Sequence, residues 1–180
     1  LSGTDQYNSA AANQLQLAAG SYTLRFHSSG AATPRFRFAL RDLADAQPST
    51  LNTPVMGTNT PANRAALYQF DVQAGDTYLM QGLGYSGYEP SLSGGPYAEV
   101  YYPFGGGWDG PRLNGNTDRL VFPQAGTHVL SISALSDSTN NTGNHQFILW
   151  KVVDRTQPLA FGELVDGQIE MPRQQQSFQL

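Results

Sequence analysis

The sequence predicts an all-β chain made of antiparallel β-sandwich repeats. Apolar residues alternate with period two in several segments, and no window of helical length carries a sustained apolar stripe. Segments about 105 to 110 residues apart also resemble one another, which predicts that the folded unit recurs along the chain.

Taken in order, "GSYTLRFHS" places Tyr22, Leu24 and Phe26 on one face, and "RFRFALRD" does the same with Phe36, Phe38 and Leu40. The intervening "SSGAATP" is turn-like, so residues 21–42 are expected to form a hairpin. In "ALYQFDVQAGDTYLMQG", Tyr68, Phe70 and Val72 alternate, "QAGD" turns, and Tyr78 and Met80 continue the pattern. "AEVYYPF" is expected to be a strand with Val100 and Tyr102 on one face and Tyr101 on the other. "DRLVF" and "GTHVLSIS" follow, then "HQFILWKVVD". The last directs Phe147, Leu149 and Val153 one way and Ile148, Trp150 and Val152 the other, as in a strand that is central or covered on both faces. Gly20, Gly75 and Gly126 each follow Ala or Gln-Ala just before a strand, where a positive φ or close chain approach suits glycine.

The repetition has three parts, found in the same order. "LQLAAGSYTLRF" matches "LVFPQAGTHVLSI"; an aromatic strand ends at Asp45 or Asp154 with Gln-Pro following at 47–48 or 157–158; then Gly57 or Gly167 precedes "ALYQF" or "QSFQL". The expected organisation is the closing part of a preceding repeat at 1–46, a complete β-sandwich module at 47–154 and the opening part of a following repeat at 155–180. A partial sandwich exposes an apolar face and open strand edges, so the partial repeats are expected to pair, within one chain or between chains.

Composition narrows the function. Charged residues make up 13% of the 180, about half the usual share, while hydrophobic residues at 39% and aromatics at 11% suffice for a core. A formal charge of -4 with Lys151 as the one lysine argues against nucleic acid, because a phosphate-backbone binder needs clustered cations. Arg35, Arg37 and Arg41 alternate with apolar residues, as on the wet face of a strand. The absence of cysteine excludes disulfides, thiolate zinc sites and thiol nucleophiles. No run approaches the roughly 18 apolar residues of a membrane span, and "LSGTDQYNSA" lacks the regions of a signal peptide, so any export signal is expected outside this sequence.

Residues 85–110, "YSGYEPSLSGGPYAEVYYPFGGGWDG", concentrate the aromatics. Tyr85, Tyr88, Tyr101 and Trp108 are the candidate ligand-binding residues, since rings held on Gly-rich loops stack on sugars or anchor a protein partner. The competing reading is that these rings fill the core of a leucine-poor module. Calcium is the candidate cofactor, with Asp109, Asn114, Asn116 and Asp118 in "WDGPRLNGNTDR" as ligands; Asp137, Asn140 and Asn144 form a second oxygen-rich loop. Neither loop has EF-hand spacing, and local turn bonding by Asn and Asp explains both equally well. No two of His27, His128 and His145 have a recognisable zinc spacing. "GYSG" at 84–87 lacks the following helix of a nucleophile elbow, and Glu89 and Glu99 merely flank the aromatic run, so the chain is expected not to be an enzyme.

The segments "LYQFDVQAGDTYLMQ", "VFPQAGTHVLSIS" and "HQFILWKV" resemble bacterial pre-peptidase C-terminal domains over residues 55–153. The matching residues are Tyr68, Phe70, Val72, Ala74 and Gly75, then Ala125, Gly126, Leu130 and Ile132, then Phe147 and Leu149. His128 stands where that pattern has tyrosine, and "PYAEVYYPF" replaces its usual "D-x-D-L-Y" strand. The resemblance implies a jelly-roll-like sandwich in a secreted or bacterial cell-surface protein. It implies a non-catalytic extender or adhesion module; the alternatives are a carbohydrate-binding module using the aromatic loop, or an export or assembly accessory domain of a secreted hydrolase. The implied partner is a glycan or an extracellular protein.

Overall fold

A computed structural model describes residues 15, 17–28, 30, 33, 40–59, 65–88, 95–104, 107–133 and 142–180; Trp108, Asp109 and Pro111 are placed by their backbone. Its strands are β1 (Gln47–Pro48), β2 (Val55–Asn59), β3 (Ala66–Val72), β4 (Thr77–Ser86), β5 (Tyr97–Tyr101), β6 (Gly107–Arg112), β7 (Leu120–Val121), β8 (Gly126–Ser133), β9 (Gly143–Val152), β10 (Arg155–Pro158) and β11 (Gln176–Gln179). A 3-10 turn, Leu43–Asp45, is capped by the Asp42 carboxylate, which accepts from the Ala44 N–H.

Strands β2 to β9 form two antiparallel sheets ordered β3-β8-β5-β6 and β2-β9-β4-β7. First and last strands are neighbours in one sheet, second and penultimate in the other, which is the eight-stranded jelly-roll order. Strand β1 adds in parallel to the outer edge of β3. The period-two pattern explains the layers. Tyr68, Phe70, Val72, Ala98, Val100, Leu130 and Ile132 from one sheet meet Tyr78, Met80, Phe147 and Leu149 from the other, with Leu113 and Phe122 closing the core from the connections. Asn59, 1% exposed, donates from Nδ2 to the Ile132 carbonyl at 3.0 Å and so ties β2 to the opposite sheet.

Strand β9 lies between β2 and β4 and is buried on both faces, as its sequence requires: Phe147 and Leu149 face the sandwich, while Ile148 and Val152 are also buried. Val153 lies past the strand end and is exposed. On β5, Val100 enters the main core with Tyr102 packed beside it, while Tyr101 joins Ala46, Leu67 and Val129 on the opposite face. Gly75 and Gly126, at φ of 83° and 124°, begin or turn into strands in a backbone region that side chains other than glycine seldom enter.

Two segments differ from expectation. Residues 21–28 form no strand, and most of "RFRFALRD" lies outside the described residues. Conversely, the Gly-rich flank around Trp108 and Asp109 is strand β6, paired with β5 so that Val100 faces Trp108 and Glu99 faces Asp109. It carries no apolar alternation because its place is fixed by backbone fit: a Cβ on Gly107 would lie 2.5 Å from the Val100 carbonyl oxygen. As an edge strand it also tolerates Pro111.

Beyond the sandwich, β10 and β11 pair in parallel. Gln157 faces Phe178 and Pro158 faces Gln179, just as Gln47 faces Tyr68 and Pro48 faces Gln69 in the β1–β3 pair. The next hydrogen bond is reproduced too: Ser49 N–H donates to the Gln69 carbonyl at 2.9 Å and Leu159 N–H to the Gln179 carbonyl at 2.8 Å. The pair is tied back to the sandwich by Arg119, whose guanidinium engages both Asp154 carboxylate oxygens and the Arg173 carbonyl, and by Gln174, which donates to the Val153 carbonyl.

Candidate functional site

At one end of the β2-β9-β4 layer, three strand segments lie side by side. Gly57 and Tyr85 both face His145, Met56 and Gly84 face Gln146, and Thr58 and Ser86 face Asn144. A register shift between Gly82 and Gly84 re-aims the end of β4. The result is an open groove of about 450 Å³, lined by Met56, Thr58, Tyr85, Asn144 and Gln146 over Gly57 and Gly84.

Beneath the groove His145 has the inward parity of Phe147 and Leu149 and is 2% exposed. Its Nε2 lies 2.7 Å from the Tyr68 hydroxyl and its Nδ1 lies 3.1 Å from the Tyr88 hydroxyl. A neutral imidazole has one N–H and one lone pair, so one tyrosine donates to the ring while the other accepts from it. Burial holds the His145 pKa down to about 4, raises Tyr68 to about 12, and raises Tyr88 as well, with the neighbouring Tyr68 adding to the last. All three groups are therefore neutral at pH 7. Gly57 makes the cluster possible, because a Cβ there would sit 1.7 Å from the Tyr68 hydroxyl and 2.6 Å from His145 Nε2.

This cluster was not visible as a motif, since Tyr68, Tyr88 and His145 meet only through strand pairing and sheet packing. The available signal was parity: His145 is in phase with the core residues of its own strand.

The four candidate aromatics do not share one platform. Tyr85 is 41% exposed at the groove wall, and the Gly95 backbone backs its ring. Tyr88, 9% exposed, meets Tyr85 edge-on at 65° and 6.2 Å, and its hydroxyl is committed to His145. Tyr101 is buried in the other sheet and donates to the Glu99 carboxylate at 3.0 Å. Trp108 is on β6, opposite Val100. Tyr85 and Tyr88 are thus brought together, and Tyr101 is held elsewhere.

The candidate calcium ligands fall on different local features. Asp109 is on strand β6, Asn114 is exposed in the turn after it, Asn116 forms a bridge with Gln81, and Asp118 pairs with Arg173 at 3.2 Å. Among the described residues no three His, Asp or Glu side chains gather as a metal-holding group. Of the second loop, Asp137 and Asn140 lie outside the described residues, as does Glu89, while Asn144 accepts from the Thr58 hydroxyl at 2.7 Å. His128 is fully buried among Phe70, Tyr102 and Phe122, donates from Nδ1 to the Gly126 carbonyl and leaves Nε2 without a hydrogen-bonding partner; burial lowers its pKa.

The groove's lining groups are the Met56 thioether, the Tyr85 phenol, the Asn144 and Gln146 amides and the Thr58 and Ser86 hydroxyls, with neutral groups beneath. That chemistry suits a neutral ligand with mixed polar and apolar faces. No helix among the described residues is long and apolar enough to cross a membrane.

No protein-family model matches the chain, and no curated protein matches it. Among solved structures the chain is similar to the crystal structure of Aeromonas hydrophila PliG, a periplasmic lysozyme inhibitor of g-type lysozyme, with 14% identity and a TM-score of 0.43 over 58% of this chain and 94% of that one.

Proposed function

We propose that the chain is a non-catalytic extender module of a tandemly repeated secreted or surface protein. The observation that carries this reading is the duplicated parallel pair: β10–β11 repeats β1–β3 in residue type, register and the hydrogen bond that follows. In each case a Gln-Pro segment adds in parallel beside a strand of like sequence, and on this reading the segment leaving one unit docks on the second strand of the next. The segment that connects two units is thereby built into a sheet, which fixes their spacing as a flexible linker would not.

Adhesion is the second reading, favoured by the groove at Tyr85 and Met56, both exposed beside amide side chains. Arrays of immobilised glycans and extracellular matrix proteins test it with the intact chain and Tyr85→Ala. Adhesion predicts a retained ligand that Tyr85→Ala releases without changing the melting temperature. A chain that retains nothing leaves the extender role alone, and turnover of an arrayed glycan would overturn the non-catalytic reading.

A further inference from the structure

We propose that the groove at the end of the β2-β9-β4 layer is a saccharide site whose ligand is an uncharged mono- or disaccharide unit lying on the outer side of the sheet. The inference rests on the adhesion reading and deepens it by naming the ligand class and the residues that select it.

Strand register sets two rows of side chains across the groove. Asn144 and Gln146 alternate with the buried His145 and Phe147, so both point outward from the central strand β9. In one row Asn144 lies between Thr58 on β2 and Ser86 on β4; in the other Gln146 lies between Met56 and Gly84. The first row therefore reads hydroxyl, amide, hydroxyl, and the second thioether, amide, bare backbone. Strands about 4.8 Å apart, with a rise of about 3.3 Å per residue, make the array about 10 Å across and about 7 Å along the strands. That footprint suits a mono- or disaccharide, and the groove's volume of about 450 Å³ falls within the range of small-molecule sites.

The hydrogen-bonding capacity of the array matches a polyol. The Thr58 hydroxyl donates to Asn144 Oδ1 at 2.7 Å, which orients that amide and leaves its Nδ2 as a donor. Among the described residues none hydrogen-bonds the Gln146 amide or the Ser86 hydroxyl. A carboxamide presents a donor and an acceptor side by side, and neighbouring hydroxyls of a sugar ring each donate and accept, so the two groups pair in either sense. Met56, 75% exposed, supplies a flexible apolar wall for the C–H face of the ring. A Cβ on Gly84 would meet no other atom within 4 Å, so a recess stays open beside it.

The class is uncharged because none of the described residues lining the groove is Lys, Arg, Asp or Glu, and a charged ligand would lose hydration there without a counter-charge. An extended peptide fits less well at the groove's centre, where β9 already uses both backbone edges on β2 and β4.

The test uses the full 180-residue chain. Maltose, cellobiose, lactose and N,N′-diacetylchitobiose are titrated in turn while the side-chain amide signals of Asn144 and Gln146 are followed by NMR, with sialyllactose as the charged comparison. The expected result is that at least one uncharged disaccharide moves both signals to saturation, and that Gln146→Ala, with an unchanged melting temperature, binds it about tenfold more weakly. Amide signals that stay still with every uncharged disaccharide, or equal affinity in Gln146→Ala, overturn the site. Movement with sialyllactose alone overturns the uncharged class. Immobilised glycans and matrix proteins separate the two levels: a chain retained on them while the groove amides stay still keeps the adhesion reading and loses this site, whereas a chain retained by none of them, with still amides, loses both.

Discussion

Acid weakens this fold through His145. In the unfolded chain the imidazole takes up a proton as pH falls through 6.5, whereas burial in the native state delays this to about 4. Between those values the unfolded state binds more protons, so stability falls as pH falls. Above 6.5 both states hold a neutral ring and the contribution is flat; below about 4 both are protonated and it is flat again. At about 1.4 kcal/mol per pKa unit, the interval amounts to on the order of 3 kcal/mol, a large part of the roughly 5 to 15 kcal/mol typical of a domain. His128, buried and also held below its usual pKa, acts in the same direction. Urea denaturation from about pH 7 down to about pH 4 measures the effect. His145→Gln keeps polar atoms beside the two tyrosines and cannot titrate. It is expected to be less stable at neutral pH, by about 1 to 3 kcal/mol for the disturbed buried hydrogen bonds, yet to show a flatter dependence on pH. Parallel curves for the two proteins would refute the assignment of acid sensitivity to this ring.

Gly57→Ala is expected to destabilise the fold by about 1 to 3 kcal/mol or more, because the added methyl meets the Tyr68 hydroxyl and His145 within a packed interior; thermal melting measures it, and an unchanged melting temperature would contradict the packing. Arg119→Ala is expected to leave the melting transition of the sandwich nearly unchanged while speeding amide exchange at Gln175 and Leu159, since Arg119 holds Asp154, whose carboxylate accepts from the Gln175 N–H. Equal exchange with and without Arg119 would show that it does not anchor the β10–β11 pair.

Strands β3, β8 and β9 were legible because each buries every second residue against the other sheet, so physics writes the alternation directly into the sequence. Strands β2 and β6 were not, because "VMGTN" and "GWDGPR" are placed by backbone fit around Gly57 and Gly107 rather than by an apolar stripe. The likeness of Gln47-Pro48 to Gln157-Pro158 was legible, and the parallel pairing that both segments make, β1 with β3 and β10 with β11, required coordinates. For the candidate site, composition drew attention to Tyr85 and Tyr88, but ring chemistry on loops does not reveal that Tyr88 turns inward to His145. Tyr101 illustrates the same limit: alternation places it on the face opposite Val100, and only the 3-10 turn and neighbouring strands make that face dry.

Residue-resolved amide exchange on the intact chain tests the sandwich module and the proposed repetition of its Gln-Pro pairing together. The expected result is that central β3 and β8 amides exchange only through global unfolding, and that the Leu159 amide, bonded to Gln179, is protected like the Ser49 amide and unlike that of the exposed Phe161. Exchange of β3 and β8 at loop rates, or a Leu159 amide as fast as that of Phe161, would contradict the account.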